Sequence, residues 1–193
     1  MHKGQALFLD RDGVINVDTG HPHIIKEIQF IEGIFELCSV ARKLEYQIII
    51  ITNQAGIAKG IYDEAQFFCV MGWMLDVFKK KGIDILDFYF CPHHINGLGK
   101  YKKNCRRRKP APGMILDAST EHNINLKNSI IVGDKTTDLE AGIRAGVGKR
   151  FLFKSNNDEN EKGNLMNGIR VFTKILDIAE HLKEINDKNR NKS

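Results

Sequence analysis

Apolar positions follow two different spacings along the chain, and these spacings alternate. Residues 6–9 form a short, continuous apolar run, whereas Ile34, Leu37 and Ala41 recur at the 3.6-residue period of a helix. The β-branched run 47–51 then predicts a second strand. Strands that alternate with helices in this way are typical of βαβ units and of a parallel sheet.

The alternation continues through the rest of the chain. Asp63 and Gln66 have the spacing of a capping box, which predicts the start of a helix that ends at Gly82. Further elements are expected as strands over 86–90, 129–132 and 151–153, helices from Pro112 and from about Thr137, a polar loop over 155–168 and a last helix over 171–182. The expected fold class is α/β, a Rossmann-like parallel sheet with helices on both faces.

The composition fits one ordinary domain. A chain of 193 residues with 42% apolar content can bury a core, so we expect a single domain over 1–185 and a charged, disordered tail over 186–193. No apolar run approaches the roughly 20 residues that cross a bilayer, and the first residues lack a secretory signal. We therefore expect a cytoplasmic monomer that does not bind membranes. The net charge of +5 suits an anionic substrate.

Two carboxylates follow the first predicted strand directly. Asp10 and Asp12 are two residues apart, so in an extended segment both point to the same side, and Gly13 lets the chain turn away. Such a pair needs a cation or a proton between its charges. Mg²⁺ prefers oxygen ligands, and an aspartate can also act as a nucleophile towards a phosphoryl group. The alternative is a solvated turn after a core strand.

Polar residues of complementary kinds follow other predicted strands. They are Thr52 and Asn53 after the second strand, Asp134 and Lys135 after the fourth, and Arg108 and Lys109 in the loop before a helix. Hydroxyl and amide groups can bind phosphoryl oxygens, and lysine can neutralise charge that develops in a transition state. Taken singly, 52–54 could be a helix cap and Asp134 a turn residue. Together they predict a phosphate site.

Five segments carry a resemblance to a known family. They read FLDRDGVIN at 8–16, TNQAGIAKG at 52–60, CPHH at 91–94, CRRRKPAPGM at 105–114 and VGDKTTD at 132–138. With these segments the chain resembles a haloacid dehalogenase (HAD) superfamily phosphatase of the heptose-bisphosphate 7-phosphatase and histidinol-phosphatase group. The resemblance implies a HAD-like fold and Mg²⁺-dependent hydrolysis of a phosphomonoester through an aspartyl-phosphate.

The resemblance also implies a role for each matching residue. Asp10 would be the nucleophile, and Asp12 would be the general acid and then the base. The implied Mg²⁺ ligands are Asp10, the Asp12 backbone carbonyl and Asp134. Substrate contacts are implied for Thr52, Asn53, Arg108, Lys109, Lys135, His21 and His23, although a loop histidine is more often only solvated.

A structural zinc ion organises the corresponding loop in the resembling family. Cys91, His93 and Cys105 match three of its ligands, but Arg107 stands at the fourth position, where the family has a thiolate. Structural zinc sites almost always have four protein ligands, and His94 could supply the missing one. The alternative is that the two cysteines are ordinary loop residues and that Arg107 contacts substrate or a carboxylate.

The substrate must be selected by short loops. The residues between Gly13 and the second strand mostly form one helix, which leaves no room for a large cap domain. The basic stretch 100–109 suits a second phosphate, and the spacing of Cys91 and Cys105 resembles that of the heptose enzymes, so a phosphorylated sugar, heptose 1,7-bisphosphate, is the expected substrate. Histidinol-phosphate phosphatase and another phosphosugar phosphatase or mutase remain alternatives. The basic stretch lacks the interleaved aromatic residues of a nucleic-acid site, so we expect no nucleic-acid partner.

Overall fold

A computed structural model describes residues 4–155, 164–165 and 168–190, and its strands form one seven-stranded sheet. The strands are β1 (Gln5–Leu9), β2 (Tyr46–Asn53), β3 (Asp87–Cys91), β4 (Ile130–Gly133), β5 (Lys149–Phe153), β6 (Asn164–Leu165) and β7 (Ile169–Phe172). They lie in the order β3-β2-β1-β4-β5-β7-β6. All neighbouring strands run parallel except β6, which pairs antiparallel with β7.

Six α-helices connect and cover these strands in the described part of the chain. They are α1 (Ile34–Lys43), α2 (Ala55–Ala58), α3 (Glu64–Lys80), α4 (Gly113–Glu121), α5 (Thr136–Ala145) and α6 (Ile175–Arg190). The predicted capping box of Asp63 and Gln66 is present at the start of α3. Gly146, with φ 84°, ends α5 in the left-handed conformation that glycine adopts without strain.

The core lies on both faces of the sheet because side chains alternate along each strand. Leu7 and Leu9 of β1 pack on the face that is covered by α1, α3 and α6. Ala6 and Phe8 pack on the opposite face, against α4 and α5. The expected α/β class, with a parallel sheet and helices on both faces, is confirmed.

The strand order reverses between β1 and β4. From β1 the chain proceeds to β2 and β3 on one side, and from β4 it proceeds to β5 and β7 on the other. In open α/β sheets, ligands bind at such a switch point, outside the carboxyl ends of the strands. Asp10 follows β1 and Asp134 follows β4, so the topology places both carboxylates there.

The predicted start of the last helix, at residue 171, was wrong by four residues. Val171 and Phe172 belong to β7 and pair with Leu152 and Phe153 of β5, and α6 begins at Ile175. β7 lies shortly before the amphipathic helix α6, so the apolar residues of both elements form one continuous pattern. The helical spacing of that pattern made the strand residues look like the start of the helix. Of the predicted loop 155–168, residues 156–163 and 166–167 lie outside the described residues, and residues 164–165 form β6.

The carboxyl-terminal helix is longer than the sequence indicated. It continues through Arg190, five residues into the segment 186–193 that was expected to be a disordered tail, whereas residues 191–193 lie outside the described part. No helix within the described ranges is long and apolar enough to cross a membrane.

A large cap domain is absent between Gly13 and β2, as expected. The described residues there form a loop, the short 3-10 helix Ile25–Glu27 and α1, which packs against α6 and the sheet. The switch point is therefore bordered by short loops.

Candidate active site

A polar cavity of about 360 Å³ lies at the switch point. It gathers most of the residues that the sequence singled out. Its lining comprises Asp10, Asp12, Asp18, Gly20, His21, Thr52, Asn53, Ala55, Arg108, Lys109, Lys135, Thr137 and Asp138. The structure therefore brings together residues from five separate stretches of the chain. Asp134 lies in the wall of an adjoining cavity of about 430 Å³, which shares Asp18 with the first.

One buried ammonium group joins two of the carboxylates. Lys109 Nζ lies 2.8 Å from Asp10 Oδ1 and 2.6 Å from Asp138 Oδ1, and it also donates to the Ile51 carbonyl at 3.1 Å. Burial alone would lower the pKa of Lys109, but the two carboxylates raise it above its usual value. The lysine therefore stays charged in the wall of the cavity.

Three carboxylates nevertheless outnumber this ammonium. Ligand oxygens of Asp10, Asp134 and Asp138 all lie within 4.8 Å of one another. Burial raises the pKa of Asp10 well above its usual range, Lys109 opposes the rise, and Asp138 and Asp134 add to it. Burial also raises the pKa of Asp134, whose Oδ1 is buried without a hydrogen-bond partner. The site thus has surplus negative charge and a free oxygen ligand, which suits a hard cation.

The close approach of the two strand ends requires glycine between them. Gly13 has φ 93°, and a Cβ atom at this position would collide with the carboxylate of Asp134. A side chain here would occupy the space of the Asp134 carboxylate, whose Oδ2 is its nearest atom.

The Asp12 side chain is held by donors and is turned away from the other carboxylates. Arg11 donates to both of its oxygens, from Nε and Nη2, each at 2.8 Å. Asn16 Nδ2 and Gln54 Nε2 donate to it at 3.0 Å each. The Arg11 guanidinium is itself buried and lies over the Phe67 ring. Asp12 lines the cavity but is not among the clustered carboxylates, so its predicted contribution to a metal through the backbone carbonyl stays a prediction.

The residues at the end of β2 connect to the lysine loop. Asn53 Nδ2 donates to the Lys109 carbonyl and Asn53 Oδ1 accepts from the Lys109 amide, both at 3.1 Å. This reciprocal pair fixes the loop that carries the buried ammonium against β2. Thr52 is buried, lines the cavity and accepts a hydrogen bond from Gln54 at 2.8 Å.

The two predicted histidine contacts occupy different places. His21 lines the cavity, and its Nε2 lies 3.2 Å from Lys59 Nζ. Burial and Lys59 lower the pKa of His21, so it is neutral near pH 7. His23 is not part of the cavity lining; its ring stacks on Tyr62, with 4.9 Å between ring centroids. His23 is therefore a neighbour of the site, and a direct substrate contact by it stays a prediction.

Lys135 is tied to a loop that the sequence analysis did not assign. Its Nζ lies 3.0 Å from Asp18 Oδ2 and 3.7 Å from Asp134 Oδ2. Burial would raise the pKa of Asp18, but the Lys135 contact and the Gly20 amide lower it below its usual value. This ion pair fixes the 18–20 loop at the mouth of the cavity.

Cys91, His93 and Cys105 come together as expected. Their ligand atoms lie within 4.8 Å of one another, and Cys91 Sγ is 4.0 Å from His93 Nδ1. His94 Nδ1 accepts a hydrogen bond from the Asn96 amide at 3.0 Å instead of joining this cluster. Burial, and after it the neighbouring Cys105 thiol, raise the pKa of Cys91 to about 12, while the His93 amide and Arg108 oppose the rise.

Arg107 points away from these three side chains. Its Nε lies 2.7 Å from Asp117 Oδ2 on α4, and Arg106 Nη2 lies 2.8 Å from the other oxygen of the same carboxylate. The Arg107 contact with a carboxylate, which was one part of the alternative, is therefore present, whereas its other part, that the two cysteines are ordinary loop residues, stays a prediction. The same pairing takes Arg106 and Arg107 out of the cluster of cations expected to seat a second phosphate, of which Arg108 and Lys109 line the cavity.

Sequence reasoning missed several residues that shape the cavity. Asp138 lies inside the resembling segment 132–138 but received no role, although an acidic residue in the first turn of the helix that follows a strand end was a usable signal. Arg11 and Asn16 contact Asp12 from nearby positions in the chain, whereas Gln54 reaches Asp12 from 42 residues away and contacts Tyr62, which no local pattern reveals.

Comparison with known proteins places the chain in a family. A family model described as HAD-hydrolase-like matches residues 106–167. A D-glycero-beta-D-manno-heptose-1,7-bisphosphate 7-phosphatase of Vibrio cholerae is 41% identical over 181 residues, which cover 93% of this chain and 97% of the relative. A D-glycero-alpha-D-manno-heptose-1,7-bisphosphate 7-phosphatase of Burkholderia mallei is 50% identical over 151 residues, covering 78% of this chain and 80% of the relative.

Solved structures agree with this placement. A putative HAD-like phosphatase of Mesorhizobium loti aligns with a TM-score of 0.82 and 32% identity, covering 93% of this chain and 88% of that one. A D,D-heptose 1,7-bisphosphate phosphatase of B. bronchiseptica, complexed with magnesium and phosphate, aligns with a TM-score of 0.80 and 27% identity. The alignment covers 93% of this chain and 98% of that one. The chain belongs to the D-glycero-D-manno-heptose-1,7-bisphosphate 7-phosphatase family of HAD-like hydrolases.

Proposed function

We propose that this protein removes the 7-phosphate of D-glycero-D-manno-heptose 1,7-bisphosphate, in the biosynthesis of nucleotide-activated heptose for lipopolysaccharide or related glycans. The observation that carries this proposal is the cluster of the Asp10, Asp134 and Asp138 carboxylates at the switch point of the sheet, where Lys109 pairs with Asp10 and Asp138. Relatives at 38–50% identity carry the 7-phosphatase name, which gives the substrate class.

The donor atoms at this centre fit Mg²⁺. All are carboxylate oxygens, and the unpartnered Asp134 Oδ1 offers a lone pair that no group within the described residues uses. Asp10 and Asp134 would hold the ion, with Asp138 close by. When bound, Mg²⁺ neutralises charge on the phosphoryl oxygens and relieves the repulsion among the carboxylates.

The proposed reaction runs in two displacements. In the first, Asp10 attacks the phosphorus atom, the bond to the sugar oxygen breaks, and Asp12 gives a proton to that oxygen. In the second, Asp12 takes a proton from a water molecule as that water attacks the phosphorus atom and the bond between phosphorus and the Asp10 oxygen breaks. This releases phosphate, restores the Asp10 carboxylate and leaves Asp12 protonated, as at the start. Lys109 stays charged throughout and stabilises negative charge that develops beside Asp10.

Residues that can contact the phosphoryl group during its transfer line the same cavity. Thr52 can donate its hydroxyl, and the backbone of 52–53 lies at the end of β2, which faces the switch point. Lys135 stands at the start of α5 and brings a second positive charge to the mouth of the cavity. Asn53 acts here by fixing Lys109.

The second phosphate of the substrate requires its own positive charge. His21 and Arg108 line the cavity, and Lys59 lies beside His21. We propose that the positive charges of Arg108 and Lys59 seat the 1-phosphate, and that the neutral His21 contacts it through a hydrogen bond. The relatives named above include both the alpha and the beta form of the sugar, so the anomer that this protein prefers needs a direct measurement.

We also propose that Cys91, His93 and Cys105 bind zinc as a three-ligand structural site. The three ligand atoms already lie within 4.8 Å of one another, and Arg107 does not obstruct them because it pairs with Asp117. Three protein ligands hold zinc less tightly than four, so elemental analysis of protein purified without chelator should give a substoichiometric content.

Arg107→Cys tests this zinc site directly because it supplies a fourth thiolate. Its zinc content should rise towards one per chain, whereas the adjacent control Arg106→Cys should leave it unchanged. Zinc near zero in the wild type and in Arg107→Cys, unrestored by added zinc, would mean that ordinary packing and the pairs to Asp117 hold the loop.

A substrate panel tests the main proposal. Purified protein with Mg²⁺ should release phosphate fastest from the heptose 1,7-bisphosphates, and ³¹P NMR should show heptose 1-phosphate as the remaining product. Preference for histidinol phosphate would favour the alternative phosphatase, and isomerisation without phosphate release would favour a mutase. The expected monomeric state and cytoplasmic location stay predictions, which gel filtration and cell fractionation can check.

A further inference from the structure

Gln54 occupies the centre of a buried hydrogen-bond network beside Asp12. Its side chain is 1% exposed and contacts three other side chains. Gln54 Nε2 donates to Asp12 Oδ2 at 3.0 Å and to Thr52 Oγ1 at 2.8 Å, and Gln54 Oε1 accepts from the Tyr62 hydroxyl.

The orientation of the amide follows from the chemistry of its partners. A carboxylate can only accept, so the nitrogen of Gln54 must face Asp12, and its oxygen is left for Tyr62. Burial raises the pKa of Tyr62 to about 12, so the phenol keeps its proton and donates it. Tyr62 therefore prevents the amide from turning over.

This orientation also sets the direction of the Thr52 hydroxyl. Because Thr52 Oγ1 accepts from Gln54, its own hydrogen is free to donate elsewhere, and Thr52 lines the cavity. The same amide thus directs both a carboxylate and a hydroxyl that face the cavity.

Packing fixes Tyr62 from two sides. Tyr62 is 4% exposed and stacks on His23, with ring planes inclined by 12°. A Cβ atom at Gly56 would collide with the Tyr62 ring, so the chain needs glycine at that position for the ring to reach Gln54. His23 thereby acts on the site through Tyr62.

We infer that Gln54, oriented by Tyr62, is a positioning residue for proton transfer: it holds Asp12 at the cavity and keeps the Thr52 hydroxyl pointing at the phosphoryl group. The inference rests on the proposed phosphoryl transfer with Asp12 as proton donor. Four donors hold the Asp12 side chain, and Gln54 is the one among them that also touches a phosphoryl-binding group.

The test compares kcat/KM for a phosphosugar and for an activated aryl phosphate. The constant kcat/KM reports on the steps up to departure of the leaving group. Of the two leaving groups, only the sugar alkoxide is poor enough to need a proton from a well-placed acid. Gln54→Leu should lower kcat/KM about 10–100-fold on the phosphosugar and several-fold less on the aryl phosphate. Thr52→Val removes the phosphoryl-binding hydroxyl, which also accepts from Gln54, but it leaves the Gln54 contacts with Asp12 and Tyr62 in place, so it should lower both by similar factors.

Tyr62→Phe tests whether the tyrosine acts through the amide. It should reproduce part of the loss of kcat/KM seen in Gln54→Leu. The double variant should lose no more than Gln54→Leu alone, because both changes break the same hydrogen-bonded connection from Tyr62 through Gln54 to Asp12. Tyr89→Phe, which removes a phenol that donates to Glu121 outside the cavity, is the matched control and should match the wild type.

The outcomes separate the inference from the proposed function. Wild-type protein that releases phosphate from neither substrate contradicts the proposed function. An active wild type with equal losses on both substrates in Gln54→Leu, or with additive losses in the double variant, overturns the positioning role. Thermal melts of each variant identify misfolding, and Tyr62→Phe, which removes one atom, keeps the inference testable if Gln54→Leu does not fold.

Discussion

Asp138 and Lys109 form a buried ion pair that joins α5 to the loop before α4. Asp138 Oδ1 lies 2.6 Å from Lys109 Nζ, and the other oxygen of Asp138 accepts from the Lys135 amide at 3.0 Å. One carboxylate therefore caps the first turn of a helix and places the ammonium that contacts Asp10. The charge beside Asp10, the proposed nucleophile, depends on the position of a helix end.

Asp138→Asn should weaken both functions of this side chain. Lys109 would keep Asp10 but lose its second carboxylate, so we expect the free energy of unfolding to fall by about 1–3 kcal/mol, together with a marked loss of kcat. Urea denaturation and phosphate-release assays measure the two effects. Glu140→Gln, an exposed change on the same helix, should alter the free energy of unfolding by less than about 0.5 kcal/mol.

Asp10→Asn should abolish turnover and leave the fold intact. The asparagine amide is a poor nucleophile. The substitution also removes one of the clustered carboxylates whose mutual repulsion a bound cation would relieve. Circular dichroism checks the fold and phosphate release checks the activity, with the exposed change Asp177→Asn as a control. Phosphate release close to the wild-type rate would contradict the proposed nucleophile.

Asp12→Asn should affect poor leaving groups most. A general acid contributes roughly 10²–10⁴-fold, and a sugar alkoxide needs that proton far more than an aryl oxide does. The measurement is kcat/KM for both kinds of substrate. Equal loss on the two would argue against the acid role of Asp12 and for a purely structural one with Arg11.

Activity should require Mg²⁺. EDTA should remove it and added Mg²⁺ should restore it, whereas Ca²⁺, with its larger radius and looser coordination, should support it poorly. Mg²⁺ should also raise the melting temperature of the wild type, because it binds the folded carboxylate centre only. Asp134→Asn should lose this rise, and a full rise in that variant would remove Asp134 from the metal site.

His181 should make stability fall at acid pH. Its pKa is lowered by burial and then by Arg170 and Lys188, while Glu184 opposes the shift. The unfolded chain therefore takes up the proton first, so stability rises with pH through the window below about 6.5 and falls as pH drops through it. Denaturation at pH 5 and pH 7.5 measures this, and His181→Gln should flatten the difference.

Most of the strands, and the polar residues that follow them, could be predicted from the sequence because their patterns lie within short segments of the chain. Continuous apolar runs that stop at polar residues gave β1, β2 and β4 and the residues that follow them. The pattern over 171–182 misled because β7 and α6 adjoin, and pairing with β5 decides where the strand ends. Arg107 could not be placed from the sequence either, because its partner Asp117 lies one helical turn into α4.

The reversal of strand order has a consequence for synthesis of the chain. β1 pairs with β2 as soon as residue 50 is available, but its other edge pairs with β4, where Leu7 meets Ile130. A growing chain of about one hundred residues therefore presents an open, apolar strand edge, which is a template for pairing with other chains. The step that closes this edge also brings Asp134 to Asp10, so the β1 edge is covered in the same step in which these two carboxylates meet, and β5 then covers the outer edge of β4.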